Sequence, residues 1–366
     1  MEEKKFDALT VIRALAAFMV FFHHNNMFTQ KTFGAFIHNF VNEFHVGVTV
    51  FFVLSGFLIY YRYYNIISTT INKKNWLLKY MRNRVARIYP MYFLLTTVTF
   101  VYFYLYNELP QHFIREYILN ISFIRGFFTD YAFTGIPQGW SLTVEECFYF
   151  LTPLIILFSN KIKTIYIFFF FFLFGFLMVL LFRNSDFYGF FGTYKFMLSY
   201  TFFGRCFEFF IGIMLAKKML KIKNENIMET KHGFKNTLIG LLWIIVSISL
   251  LILVKGNEKY GVFTMKGILI NNFLLPIGIA ILFYGLIKER TIIRTLLSTK
   301  LMMLLGKSSY IFYLIHMGFI SFWLSDLFNN TIISFILLNI FSVALHLFIE
   351  EPCNNLIRKI KFQTTH

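Results

Sequence analysis

The chain reads as a succession of long apolar stretches, each bounded by short polar or charged segments. Ten of them have the 17 to 22 residues that a helix needs to cross a bilayer, at approximately 8–27, 45–61, 88–106, 140–158, 164–182, 200–216, 236–254, 269–287, 306–324 and 331–349. Several, such as the run Phe168 to Phe172, are apolar on every face, as expected of helices bathed in lipid or buried among other helices. The pattern predicts an all-α polytopic membrane protein of about ten transmembrane helices. The segment 107–139 is the exception. It carries Pro110, Pro137 and a half-length apolar stretch from Phe113 to Phe128, which predicts a re-entrant or interfacial element.

Composition supports that fold class. Of the 366 residues, 57% are hydrophobic and 14% charged, with a mean hydropathy of +0.63, more than a soluble domain of this size buries. The net charge of +17 is unevenly placed. With the N-terminus inside, the loops at 62–87, 159–163, 217–235 and 288–300 and both termini hold about 24 of the 35 Lys and Arg, against about eight in the opposite loops. Both termini are therefore expected in the cytoplasm, and the charge is explained by anionic lipid rather than by nucleic acid. Cys147, Cys206 and Cys353 lack paired spacing, which argues against a disulfide framework or a thiolate metal site. The first apolar stretch has no clear small-residue cleavage site and reads as a retained helix rather than a signal peptide. No repeat of 20 to 50 residues is visible, nor an inverted repeat of the transporter kind.

Polar residues inside the apolar stretches carry the candidate chemistry. Arg13 and His24 are eleven positions apart in the first span, which returns them to within about 20° of the same helix face, roughly 16 Å apart along the axis. An arginine inside a span costs about 2.5 to 3.5 kcal/mol on insertion scales, so packing alone does not account for the stripe. His24 is the candidate general base; the neighbouring His23 projects from another face. In "WSLTVEECFYF", Trp140 precedes Ser141, Glu145 and Tyr149, which recur at four-residue spacing on one face. Glu145 is expected at the depth of His24, where it would orient and stabilise the imidazole; the plainer alternative is a helix cap.

Arg84 and Arg87, three apart before Ile88-Tyr89-Pro90, suit phosphate recognition, although positively charged loops satisfy the same pattern without a ligand. Gly47, Ser55 and Gly56 in "GVTVFFVLSGFL" allow close helix approach. Ser309, Tyr313 and His316 in "LGKSSYIFYLIH" place two hydroxyls and an imidazole in the ninth span. Arg205 and Glu208 are expected to pair.

The ordered series "GVTVFFVLSGFLIY", "RNRVARIYP", "WSLTVEECFYF", "RCFEFFIGIMLA", "LGKSSYIFYLIH" and "IEEP", with the Arg13/His24 pair ahead of it, resembles the acyltransferase-3 family of bacterial integral-membrane acyltransferases from about Phe6 to Pro352. The resemblance implies a multi-pass enzyme of the bacterial cytoplasmic (inner) membrane. Such an enzyme transfers an acyl group, usually acetyl, from cytoplasmic acyl-CoA to a hydroxyl of a surface polysaccharide or lipid-linked glycan at the outer face. It places the family's Arg-x10-His pair on Arg13 and His24, its Arg-x-x-Arg motif on Arg84 and Arg87, and its WSL-x-x-E motif on Trp140, Ser141 and Glu145. Cys147, where an aromatic is common, and the extra imidazole of His23 depart from the pattern.

These assignments make His24, Glu145 and Arg13 the expected catalytic residues, and Arg84, Arg87 and Arg13 the expected acetyl-CoA contacts. Trp140, Ser141, Tyr149, Ser309, Tyr313 and His316 are the substrate or oxyanion candidates, and no metal is expected. An acyltransferase-3-like domain is expected over 1–355, followed by a short basic tail at 356–366, in the stand-alone form without a fused extracytoplasmic hydrolase-like domain. The competing class is an exporter of a polysaccharide or lipid-linked glycan, since intramembrane Arg, His and Glu also line transport routes.

Overall fold

A helix satisfies its own backbone hydrogen bonds in lipid, and the computed structural model is built of helices. It describes residues 6–70, 76–185, 187–224 and 233–360. Parts of the expected basic loops (71–75 and 225–232), Asp186, Lys4, Lys5 and residues 361–366 of the expected tail lie outside the described residues.

The long helices are α1 (Asp7–His24), α3 (Gly47–Thr70), α4 (Trp76–Leu105), α6 (Trp140–Ser159), α7 (Thr164–Phe182), α9 (Phe202–Asn224), α10 (Lys235–Val254), α12 (Leu275–Lys288), α14 (Lys300–Ile315) and α16 (Thr331–Leu345). Shorter helices join or extend them: α2 (Gln30–Asn42), α5 (Phe113–Ile121), α8 (Tyr194–Tyr200), α11 (Met265–Leu269), α13 (Ile292–Leu297), α15 (Phe319–Phe328) and α17 (Glu351–Lys359). Nine helical segments are long and apolar enough to cross a membrane among the described residues, or ten if the bent pair α14/α15 counts as one. There is no β-strand among them, only an isolated bridge between Phe128 and Phe190. This is a multi-pass membrane protein.

α7 lies at the periphery, with Phe170, Leu173 and Leu181 more than 60% exposed. The core instead gathers around α1, α3, α9 and α14. Glycine sets these contacts. A Cβ on Gly56 would collide with the backbone of Phe209, and one on Gly212 with the carbonyl of Val53, so α3 and α9 touch backbone to backbone. Gly47 faces the carbonyl of Ala16 on α1.

Four segments depart from the expected spans. The ninth, expected as an unbroken 306–324, bends by 91° between α14 and α15. Gly318 turns the chain with φ of +89°, a conformation open to glycine. The third begins earlier, so Arg84 and Arg87 lie within α4 rather than in the loop before it. Two segments, Ile270–Leu274 and His346–Glu350, are π-helical; the second runs directly into α17, which crosses the expected boundary at 355/356.

Segment 107–139 folds as α5 and a tight loop. The buried Arg125 guanidinium donates to the carbonyls of Thr134 and Ile136, satisfying backbone that α5 and α6 leave open. Gln138 donates to the carbonyls of Tyr313 (3.0 Å) and Leu314 (2.6 Å). The start of α6 is thereby fixed against the end of α14.

Candidate active site

Arg13 and His24 are eleven positions apart in α1, and the helix delivers them to two different cavities. The larger, of 410 Å³, is lined by Arg13, Arg87, Lys307 and Arg358 and by Glu145, Glu350 and Glu351. We call it the basic chamber. The second, of 240 Å³, is lined by His23, His24, His45, Trp140, Tyr260 and Arg205. This is the histidine chamber. Val48 and Tyr313 belong to the walls of both, so the chambers meet at the end of α14 and the start of α3.

Glu145 does not lie beside His24. Its carboxylate accepts a hydrogen bond from Ser55 Oγ at 2.5 Å and another from the Tyr149 hydroxyl, and it lines the basic chamber with Arg13. Five residues into α6 carry the carboxylate about 7.5 Å along the axis from Trp140, beyond the level of Tyr313. Trp140 itself borders the histidine chamber, edge-on to Tyr200 at 5.0 Å. Ser141 stands between the two: its hydroxyl donates to Gln138 O at 2.9 Å and is 2.8 Å from the Tyr313 hydroxyl.

The paired arginines also separate. Arg87 is half-buried and lines the basic chamber. Arg84 is 4% exposed and lies among tyrosines, its guanidinium carbon 5.3 Å from the centre of the Tyr63 ring and 5.4 Å from that of Tyr149. Its Nη2 donates to the Tyr63 hydroxyl at 3.3 Å. Arg84 is thus held by ring faces and is not in the wall of the basic chamber, which Lys307 of α14 and Arg358 of α17 line with Arg87. Among the described residues no carboxylate pairs with Arg87, Lys307 or Arg358. Ser309 lines the same chamber and donates to Gly306 O at 2.8 Å.

On the other side, His24 is exposed to its chamber, while His316 is fully buried with its ring 5.6 Å from that of His24. His316 Nδ1 is 2.7 Å from Tyr313 O. A carbonyl only accepts, so Nδ1 carries the proton and Nε2 is a bare acceptor; Nε2 has no partner. Arg205 pairs with Glu208 at 2.7 Å, as expected, and also donates to Thr49 Oγ1 at 3.1 Å. Thr49 passes the chain to Asn271 at 3.2 Å, which donates to Asn272 at 2.8 Å. Both asparagines sit in the Ile270–Leu274 π-turn, and the other π-turn brings His346 to Glu350 at 2.7 Å in the basic chamber. Such turns re-aim side chains at functional sites.

Sequence reasoning missed Glu43, His45, Tyr260, Lys307 and Arg358. Their signals were faint: Glu43 and His45 are two apart in a 3-10 turn, outside any helical periodicity, and Lys307 and Arg358 resemble ordinary positively charged flanks.

A family model described as an acyltransferase domain matches residues 6–351. The chain belongs to the acyltransferase-3 family. It is 26% identical over 338 residues to the O-acetyltransferase OatA of Staphylococcus aureus, covering 85% of this chain and 50% of that one. An uncharacterized protein of Aquifex aeolicus is 30% identical over 234 residues, 63% of this chain and 91% of its own. One of Haemophilus influenzae is 31% identical over 164 residues, 38% of this chain and 61% of its own. The chain spans about half the length of the OatA relatives it matches. No solved structure matches.

Proposed function

We propose that the chain is a membrane O-acyltransferase that takes an acetyl group from acetyl-CoA in the basic chamber and delivers it to a carbohydrate hydroxyl in the histidine chamber. The observation that carries this function is the pair of cavities with opposed chemistry meeting at Tyr313. Arg87, Lys307 and Arg358, from α4, α14 and α17, suit the phosphates of a nucleotide-bearing donor. Arg13, farther in along α1, faces the path of its acyl arm.

The roughly 16 Å rise from Arg13 to His24 is comparable to a pantetheine arm. His24, open to its chamber, removes the proton as the acceptor oxygen bonds to the acyl carbon. The C–S bond breaks with its electron pair on sulfur, and the thiolate takes up a proton. The Tyr313 hydroxyl, beside Ser141 at the wall common to both chambers, is the oxyanion donor in this account. The basic chamber faces the cytoplasm in this account and the histidine chamber the outside, as the charge bias predicts. Localisation to the bacterial inner membrane, the carbohydrate acceptor and acetyl as the acyl group are parts of the same proposal, supported by similarity to an O-acetyltransferase.

Purified protein in detergent tests it with acetyl-CoA and a thiol-reactive dye. Thiol release that depends on added oligosaccharide and is abolished by His24→Ala, with thermal unfolding unchanged, is expected. Full release from the His24→Ala variant would overturn the role of His24, and glycan movement in liposomes without thiol release would identify an exporter.

A further inference from the structure

One imidazole lining the histidine chamber is backed by a buried carboxylate, and that carboxylate is not Glu145. Glu43 is fully buried at the end of α2. One of its oxygens accepts from the Gly261 N–H at 2.8 Å, and the other is 3.0 Å from His45 Nε2. A carboxylate receiving N–H donors at both oxygens is an acceptor at each, so Nε2 of His45 carries a proton and Nδ1 is left as the lone-pair nitrogen.

The other rings around this chamber are held differently. His23 Nδ1 is 2.5 Å from Asn42 O, and His316 Nδ1 faces Tyr313 O. Both are oriented by neutral carbonyls. His45 alone among these four imidazoles is backed by an anion, and a carboxylate stabilises an imidazolium far better than a carbonyl does. His45 lines the chamber together with His24, and its ring is 5.4 Å from that of His23.

We propose that Glu43 and His45 form the proton-holding dyad of this chamber. His24 takes the proton from the acceptor hydroxyl, and His45, oriented by Glu43, receives that proton and holds it as imidazolium until it leaves to the departing thiolate. His45 and Glu43 act through His24 and are positioning residues. The dyad rests on the acyl-transfer function proposed above, and it fills the role that the sequence suggests for Glu145.

Glu43→Gln is the discriminating variant. Its amide oxygen is claimed by the Gly261 N–H, so its –NH2 faces His45 Nε2. The ring proton then moves to Nδ1, with the shape and the tie to Gly261 retained. With acetyl-CoA as donor and a chitooligosaccharide as acceptor, Glu43→Gln is expected to lower kcat on the order of 10²-fold or more, with both KM values and thermal unfolding unchanged. His45→Gln, which leaves the Glu43–Gly261 bond in place, is expected to do the same and guards against misfolding of the first variant. Wild-type kcat in Glu43→Gln would overturn the dyad and leave Glu43 as a structural tie to Gly261, even with His24→Ala inactive. Absence of acyl transfer by the wild-type protein would instead overturn the acyl-transfer function, and the dyad with it.

Discussion

The hydroxyls of Ser141 and Tyr313 lie 2.8 Å apart, and Tyr313 is a wall that the basic and histidine chambers share. A helix start and a helix end are joined there, for Gln138, three residues before Ser141, donates to the Tyr313 carbonyl. The contact therefore both fixes α6 against α14 and presents polar hydrogens at the junction through which an acyl group would pass.

Tyr313→Phe keeps the ring and removes the hydroxyl. Loss of one oxyanion donor lowers kcat by about 10² to 10³-fold, while stability changes by only about 1 kcal/mol because Ser141 keeps its bond to Gln138 O. Steady-state kinetics alongside thermal unfolding check both halves.

The two arginines of α4 are expected to fail differently. Arg87→Ala, in the chamber wall, raises the KM for the donor about tenfold or more, equivalent to about 1.4 kcal/mol, and leaves the unfolding temperature nearly unchanged. Arg84→Ala empties a tyrosine cage and costs about 2 kcal/mol of stability, seen as earlier thermal unfolding. Donor KM measured on the fraction that remains folded is expected to stay near wild type.

Gly56→Leu introduces a side chain where α3 meets the backbone of Phe209. Overpacking of this kind costs about 1 to 3 kcal/mol, and the backbone contact leaves little room to relax. Thermal unfolding in detergent is expected to fall clearly, whereas Gly233→Ala, where the added Cβ would meet only Glu289 Cγ at 4.0 Å, is expected to cost much less.

Glu289 supplies a pH-dependent prediction outside the spans. Burial raises its carboxyl, but hydrogen bonds from the N–H groups and side chains of Thr237 and Asn236 outweigh it and hold the group below its ordinary value. Those bonds cap the start of α10. A depressed carboxyl contributes stability that is complete above its unfolded value, about 4.3, and is lost as pH falls through the folded one. Glu289→Gln is therefore expected to cost about 1 kcal/mol at pH 7, and the gap from wild type to narrow below pH 4. Unfolding midpoints across that range check the sign.

Helix existence was legible in the sequence because length and hydropathy alone decide what lipid tolerates. So was the shared stripe of Arg13 and His24, since both lie on one helix and its period is fixed. Relations between helices were not. The face of α6 that bears Glu145 could be read from its spacing, but its depth relative to α1 depends on how Gln138 and Arg125 seat the preceding loop. The bend at Gly318 was hidden in an apolar run, and the π-turn at Asn271 leaves no trace in periodicity. Arg84 and Arg87 look equivalent in sequence; only the tyrosines from α3 and α6 distinguish them. Glu43 and His45 sit in a turn whose chemistry emerges only when the loop at Gly261 folds over it.

Sidedness tests the two-chamber account most directly. Protein is reconstituted in vesicles of a single orientation, with radiolabelled acetyl-CoA on the face of the basic chamber and membrane-impermeant oligosaccharide acceptors of two distinguishable lengths, one in each compartment. The account predicts labelled ester on the oligosaccharide of the opposite compartment, lost in the His24→Ala variant. Label confined to acceptor on the donor's own side, with none across the membrane, would contradict it.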